Sequence, residues 1–313
     1  GIELQMLQTE IGQVPQPIPP PDGAPAIAVL DSGLTTAHPL IGPAVGDSQG
    51  FIPPDRRSDD RTPQGHGTFV GGLALYGDVA ASLRDGRFAP VLRLFSGKVF
   101  KDDGTDQTEF VERSIGEAVE YFVREYGCRV FNLSYGDLNK VYDGRHLRGL
   151  AYTLDRLSRA LNVLFVTSSG NRLFNDLPQP ARDRYPDYLF DATGRLLDPG
   201  TALNVVTVGG LAQHDATLDA QRHPNQIEHV PIARPGQPSP FTRCGPSVND
   251  AIKPDFVEHA GNVAVDRHGT PRTTRGLGVL SFNSGFAAGR PLSEDAGTSY
   301  AAPAVANKAA RIL

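Results

Sequence analysis

The chain has no tryptophan, one methionine and only two cysteines in 313 residues. Cys128 and Cys244 are too few to build a metal cluster by themselves, and they pair only if the fold brings them within bridging distance. As buried free thiols they favour a reducing, cytoplasmic bacterial setting over a secreted one. No apolar run approaches the roughly 20 residues that a membrane-spanning helix needs. Basic excess is also missing. Lys and Arg number 30 against 35 Asp and Glu, a net charge of −5, so there is no basic face of the kind nucleic acid requires. The eight histidines form no His-Glu-x-x-His helix motif, which argues against a metal-dependent hydrolase. No twelve-residue calcium loop is readable, so structural calcium stays allowed but unplaced. The chain opens on Gly1, without a secretory signal, and so reads as processed or trimmed.

What is present reads as a globular α/β protein. Apolar residues make up 39% and charged ones 21%, and 34 Gly with 26 Pro imply many turns. Residues 1–22 end in Val14-Pro15-Gln16-Pro17-Ile18-Pro19-Pro20-Pro21, which lacks N–H donors and favours an extended form. This stretch reads as an arm or linker, with a single domain over 23–313. Short apolar runs then recur: Ala26 to Leu30, Val91 to Phe95, Arg129 to Leu133, Asn162 to Thr167 and Leu203 to Val208. Between them, Phe110 to Val123 and Leu147 to Leu161 carry apolar residues at helical spacing. Strands alternating with helices predict a doubly wound, mostly parallel sheet flanked by helices in three layers. Arg172 to Ala202 shows no clear period, and residues 211–250 read as loops. Lys253 to Val257 and Gly278 to Phe282 read as short strands around a hairpin-like excursion.

Several strands empty into small polar residues and glycine, where open α/β sheets place their chemistry. Three residues stand out. Asp31 ends the first apolar run, in Asp31-Ser32-Gly33. His66 sits between two glycines in Gly65-His66-Gly67-Thr68, at the start of a small apolar stretch. Ser299 lies in Gly297-Thr298-Ser299-Tyr300-Ala301-Ala302-Pro303, at the start of an Ala-rich helix whose first N–H groups favour negative charge. Acyl transfer needs this set. A base must take the serine proton, imidazole has the right basicity near neutral pH, and a carboxylate fixes the imidazole tautomer. Asn171, after Ser168-Ser169-Gly170, is a candidate donor to a developing oxyanion.

With these motifs in hand, the chain from about Ala26 onward resembles the subtilisin-like serine proteases, the subtilase or peptidase S8 family. The order Asp, His, Ser is that family's order, and Lys253-Pro254-Asp255 resembles its stretch before the serine region. The resemblance implies a serine endopeptidase with Asp31, His66 and Ser299 as catalytic residues, Asn171 in the oxyanion hole, and no cofactor for the chemistry. It implies a peptide substrate bound as an added strand between Ser134-Tyr135-Gly136 and Gly104-Thr105-Asp106, with Ser168, Ser169 and Gly170 walling a side-chain pocket. A subtilase-fold binding protein, catalytically silent or activated by a partner such as an ATPase, is the alternative. Phe69 and Gly71 stand where the family often has His and Ala, and Tyr300 where its better-known members have Met. Tyr300 is expected to resist oxidation and to narrow the leaving-group side. Asp102, Asp103, Asp106 and Asp137 suggest an acidic cleft that favours basic residues around the cut. The resemblance also implies a further strand and helix after the serine helix, before which this chain stops at Leu313.

Overall fold

A computed structural model describes residues 2–54, 56–102, 111–223 and 228–313. The helices are α1 (Leu4–Gln8), α2 (His66–Tyr76), α3 (Val79–Arg84), α4 (Val111–Tyr126), α5 (Gly149–Leu161), α6 (Leu218–Arg222) and α7 (Thr298–Ala310). The strands in the first half are β1 (Ala26–Asp31), β2 (Val45–Gly50), β3 (Arg93–Lys98), β4 (Val130–Leu133), β5 (Asp137–Val141) and β6 (Leu164–Ser168). There follow β7 (Leu197–Asp198), β8 (Val206–Leu211), β9 (Val230–Pro231), β10 (Phe256–His259), β11 (Ala264–Val265), β12 (Pro271–Arg272), β13 (Val279–Phe282) and β14 (Leu292–Asp295).

Among the described residues, seven strands form one sheet in the order β10-β8-β6-β4-β1-β3-β2. Every pairing in that sheet is parallel. A strand buried on both faces needs apolar residues on both, which is why β1 reads as the unbroken run Ile27-Ala28-Val29-Leu30. Ile27 and Val29 join the core that holds Val70, Leu73 and Ala74 of α2 and Ala301, Ala302 and Ala306 of α7. Ala28 and Leu30 face the other way, into a core with Ile115, Val119 and Phe122 of α4 and Leu150 and Leu154 of α5. Three layers result, α/β/α, as the alternation of strand and helix patterns implies.

The chain leaves β1 for β2 and β3 on one side and crosses to β4 on the other. The reversal opens a crevice at the carboxyl end of β1, where Asp31 stands. Helices α2 and α7 lie against each other below this crevice. Asn307 of α7 donates to the Ala74 and Leu75 carbonyls of α2 at 2.9 and 3.1 Å, closing one end of the pair. Both helices are apolar and small on nearly every side because both are buried, and neither carries the polar face of a surface helix.

Three features depart from expectation. Ile2, Met6 and Leu7 are buried in the α2–α7 core, so the packing does not divide at residue 22. The Pro-rich signal after them obscured a single apolar turn. Arg172 to Ala202, which has no period, is a packed excursion of 3-10 turns with Tyr188, Leu189, Leu196 and Leu197 buried. The short strand β7 within it pairs antiparallel with β5. Between the two expected strands near the end, β11 and β12 pair antiparallel at Ala264↔Arg272 and Val265↔Pro271, and β13 turns back instead on β14, antiparallel from Val279↔Asp295 to Phe282↔Leu292.

Candidate active site

Asp31, at the end of β1, is 2% exposed. His66 begins α2, and its Nδ1–H donates to Asp31 Oδ1 at 2.8 Å. The same carboxylate oxygen accepts from the Ser32 N–H at 2.8 Å and the Ser32 hydroxyl at 3.2 Å. The two glycines around His66 have separate reasons. Gly65 has a left-handed φ of 64°, and a Cβ there would meet the Ser284 side chain. A Cβ on Gly67 would stand 2.1 Å from the Gly33 carbonyl oxygen, so the helix approaches the Asp31 turn only because that position is bare.

A second carboxylate, Asp60, underlies the pair. Its Oδ2 accepts from the N–H and the hydroxyl of Thr68, both at 2.8 Å, and its Oδ1 accepts from the Ser32 and Thr62 hydroxyls. The Thr62 hydroxyl in turn accepts from the His66 N–H at 3.0 Å. Asp60 thus caps the first turn of α2 and ties it to the Asp31 turn. Burial pulls the His66 imidazole down in basicity. The Asp31 charge and hydrogen bond, with Asp60 and Asp295 behind them, outweigh that and raise its pKa to about 8.

Ser299 stands in the first turn of α7. Its carbonyl oxygen accepts from the Ser134 hydroxyl at 2.7 Å, and that hydroxyl accepts from the Asn132 amide at 3.0 Å. The turn is therefore pinned to the end of β4. Asn171 comes to the same place from the end of β6. Its Oδ1 accepts from the N–H and the hydroxyl of Thr298, both at 2.8 Å. With its oxygen held this way, the amide's Nδ2–H group is left for the cleft. A Cβ on Gly297 would press within 3.2 Å of that nitrogen. Asp31, His66, Ser299 and Asn171 all line one cleft of about 290 Å³, together with Ser134, Tyr135, Gly136, Ser168 and Gly170. Ser169 does not line it. That residue is fully buried with its hydroxyl 3.4 Å from Thr242 Oγ1, because β6 turns alternate side chains away from the cleft. Gly104, Thr105 and Asp106, the expected facing edge, lie outside the described residues, as does Asp103.

The subtilase family (peptidase S8) matches residues 22–313. The chain belongs to the subtilase family. Subtilases are serine proteases, and this one shares 40% identity over 205 residues with the uncharacterized protein y4bN of Sinorhizobium fredii. The match covers 63% of this subtilase and 46% of y4bN, so the chain spans less than half the length of that relative. Among solved structures, the protease domain of PatA superposes with a TM-score of 0.58 at 20% identity, covering 94% of this chain and 80% of that one. A cold adapted subtilisin-like serine proteinase superposes with a TM-score of 0.55 at 18% identity, covering 100% and 85%. At such identities the likeness is one of fold.

Where this subtilase departs from its family's habits, packing supplies reasons. A Cβ on Gly71 would stand 2.8 Å from Leu34 Cδ1, so the small residue lets Leu34 close on α2. The Phe69 ring packs at 4.4 Å from the Tyr300 ring. Tyr300 is 5% exposed and its hydroxyl donates to Asp295 Oδ2 at 2.5 Å, behind the His66 ring. It therefore backs the imidazole and is not among the residues that line the cleft. Of the four acids expected around the cleft, Asp137 pairs with Lys140 at 3.1 Å and Asp102 with Lys98, while Asp103 and Asp106 lie outside the described residues.

Sequence reasoning missed Asp60, Ser32, Thr298 and Arg243. Arg243 is 6% exposed, and its guanidinium donates to the Asn171 carbonyl at 2.9 Å and to the Thr193 and Arg195 carbonyls at 2.9 and 2.8 Å. Asp60 left a faint signal, an acid six residues before His66 in a polar loop. Arg243 left none. No helix among the described residues is long and apolar enough to cross a membrane. Among those residues no group of three or more His, Cys, Asp or Glu is arranged to hold a metal ion.

Proposed function

We propose that this subtilase is a serine endopeptidase that cuts peptide bonds through an acyl-enzyme on Ser299. The observation that carries the reading is the 2.8 Å bond from His66 Nδ1 to Asp31, with the imidazole and Ser299 on one cleft. That bond fixes the proton on Nδ1 and leaves Nε2 as the base. Nε2 takes the proton from Ser299 Oγ as the oxygen attacks the substrate carbonyl carbon. The carbonyl oxygen becomes an oxyanion, stabilised by Asn171 Nδ2–H and by the N–H groups at the start of α7. His66 then returns the proton to the leaving amine, and water repeats the sequence in reverse to release the acid. The substrate backbone lies as an extended strand along Ser134-Tyr135-Gly136.

The test is labelling with a fluorophosphonate probe, wild type beside Ser299→Ala. Labelling that disappears in the variant supports an activated Ser299. An unlabelled, folded wild type overturns the reading and favours the alternative of a silent cleft that only binds.

A further inference from the structure

Behind Asn171 lie two buried positive charges that no ion pair cancels among the described residues. Arg243 runs along the bare face of Gly170, where a Cβ would stand 3.1 Å from Arg243 Cδ. Its Nε–H donates to the Asn171 carbonyl at 2.9 Å, and its Nη1–H group to the Thr193 and Arg195 carbonyls at 2.9 and 2.8 Å. Arg172 follows Asn171 in the chain and is also buried. It donates to the Tyr188 carbonyl at 2.7 Å and to the Thr193 hydroxyl at 3.1 Å. The oxygens that hold these two guanidinium groups are thus uncharged. Burial, and after it the Arg172 charge, press the Arg243 pKa down, with Asp176 acting the other way. A guanidinium nonetheless keeps its proton in a protein.

The segment that carries Arg243 is fixed on both sides. The Arg172 N–H donates to the Phe241 carbonyl at 2.8 Å, and the Cys244 N–H to the Gly194 carbonyl at 3.1 Å. Asn171 and Thr242 form an antiparallel bridge, and Arg195 and Cys244 a parallel one. Asn171 is therefore gripped at both ends. Thr298 holds its Oδ1 and Arg243 holds its backbone carbonyl, while the residue itself lines the cleft with Ser299. Neutral donors could satisfy three carbonyls. A buried guanidinium without a carboxylate costs more than a neutral donor, and costs of that kind are kept at functional sites.

We propose that Arg243 is a positioning residue for the acyl-transfer reaction: it fixes Asn171 and holds positive charge behind the forming oxyanion. The proposal rests on the reading that Asn171 Nδ2–H stabilises that oxyanion. One hydrogen bond, the span of one asparagine and a second hydrogen bond separate the guanidinium from the oxyanion, at most about 11 Å in all. At that range and an effective dielectric of about 20, a full charge alters a rate by roughly 10-fold. The scissile carbonyl is neutral in bound substrate and becomes anionic only as Ser299 Oγ adds to it. The charge therefore acts on kcat and not on KM.

Three substitutions provide the test. Arg243→Gln and Arg243→Met remove the charge, and Arg243→Lys keeps it while losing the fork that spans three carbonyls. With a peptide substrate, kcat should fall by roughly 10-fold in both charge-free variants, with KM little changed and the lysine variant between them and wild type. Affinity for a peptide boronate, whose adduct on serine is tetrahedral and anionic, should fall with kcat. Binding of the uncut peptide to the same variants in the Ser299→Ala background, read by fluorescence anisotropy, should not. Thermal midpoints identify a variant that does not fold, and either charge-free variant suffices. If kcat and boronate affinity stay at the wild-type level without the charge, the proposal is overturned. A lysine variant no better than the charge-free ones overturns it too. So does uncut-peptide binding that falls as far as kcat, the mark of a clamp that only shapes the fold. With wild-type Ser299 labelled by fluorophosphonate, those results sink this proposal alone; an unlabelled wild type overturns the catalytic reading, and the proposal falls with it.

Discussion

The basicity of His66 is the sharpest handle on the site. Its pKa of about 8 means that at pH 7 only about one molecule in ten has the neutral imidazole that acts as base. With the ordinary value of about 6.5, roughly three in four would have it. The kcat/KM profile should therefore rise through a midpoint near 8, and activity at pH 7 should be about a tenth of the alkaline plateau. Asp60→Asn removes one of the charges that raise the imidazole without touching the hydrogen bond that His66 donates to Asp31. Its profile should move to lower pH. Asp31→Asn should move the imidazole further, below its ordinary value, since burial then acts with less opposition. The sign for stability follows from the same shift. A raised folded pKa means that the bound proton favours the folded state, so this contribution is complete below about pH 6.5 and is lost as pH rises through about 8. The assays are initial rates against a peptide substrate from pH 5 to 10 and the titration of the His66 Cε1–H resonance in Ser299→Ala. A wild-type midpoint at or below 6.5 in both would refute the argument that the three carboxylates outweigh burial.

Further outcomes follow from other parts of the site. Asn171→Leu should lower kcat by about 10²–10³ with KM little changed, the cost known for removing one such donor in subtilisin itself; a loss confined to KM speaks against an oxyanion role. His38 is fully buried between Phe282 and Phe286, with Nε2–H donating to the Pro291 carbonyl and Nδ1 accepting from Leu40, and burial pushes its pKa down to about 4. Unfolded chains take up a proton there below about pH 6.5 while the folded state resists, so stability should fall by about 3 kcal/mol between pH 6.5 and 4. Urea midpoints for His38→Gln that remain as acid-sensitive as wild type would remove His38 from that account. Mild peroxide should leave most of the activity, because tyrosine follows Ser299 and the single methionine, Met6, is buried in α1; rapid inactivation with unmodified cysteines contradicts this.

The sequence by itself determined what is local. An unbroken apolar run means a strand covered on both faces, and spacing at 110–123 and 147–161 means helices covered on one, so three layers were legible from pattern alone. Asp31, His66, Asn171 and Ser299 were legible for a related reason. Each sits at a strand end or helix start, marked by glycines and small polar neighbours that such turns demand. The tertiary structure decided what depends on groups far apart in the chain. Asp60 becomes a helix cap only when Thr68 and Ser32 meet it, and Arg243 joins three carbonyls between 48 and 72 residues away. Leu197, in a stretch without period, reads as one more apolar residue until the excursion folds back and its side chain meets Gly136 and Gly170. Burial between two strand ends leaves no periodic trace, because it is set by the closure of a loop and by distances that only the packed chain possesses.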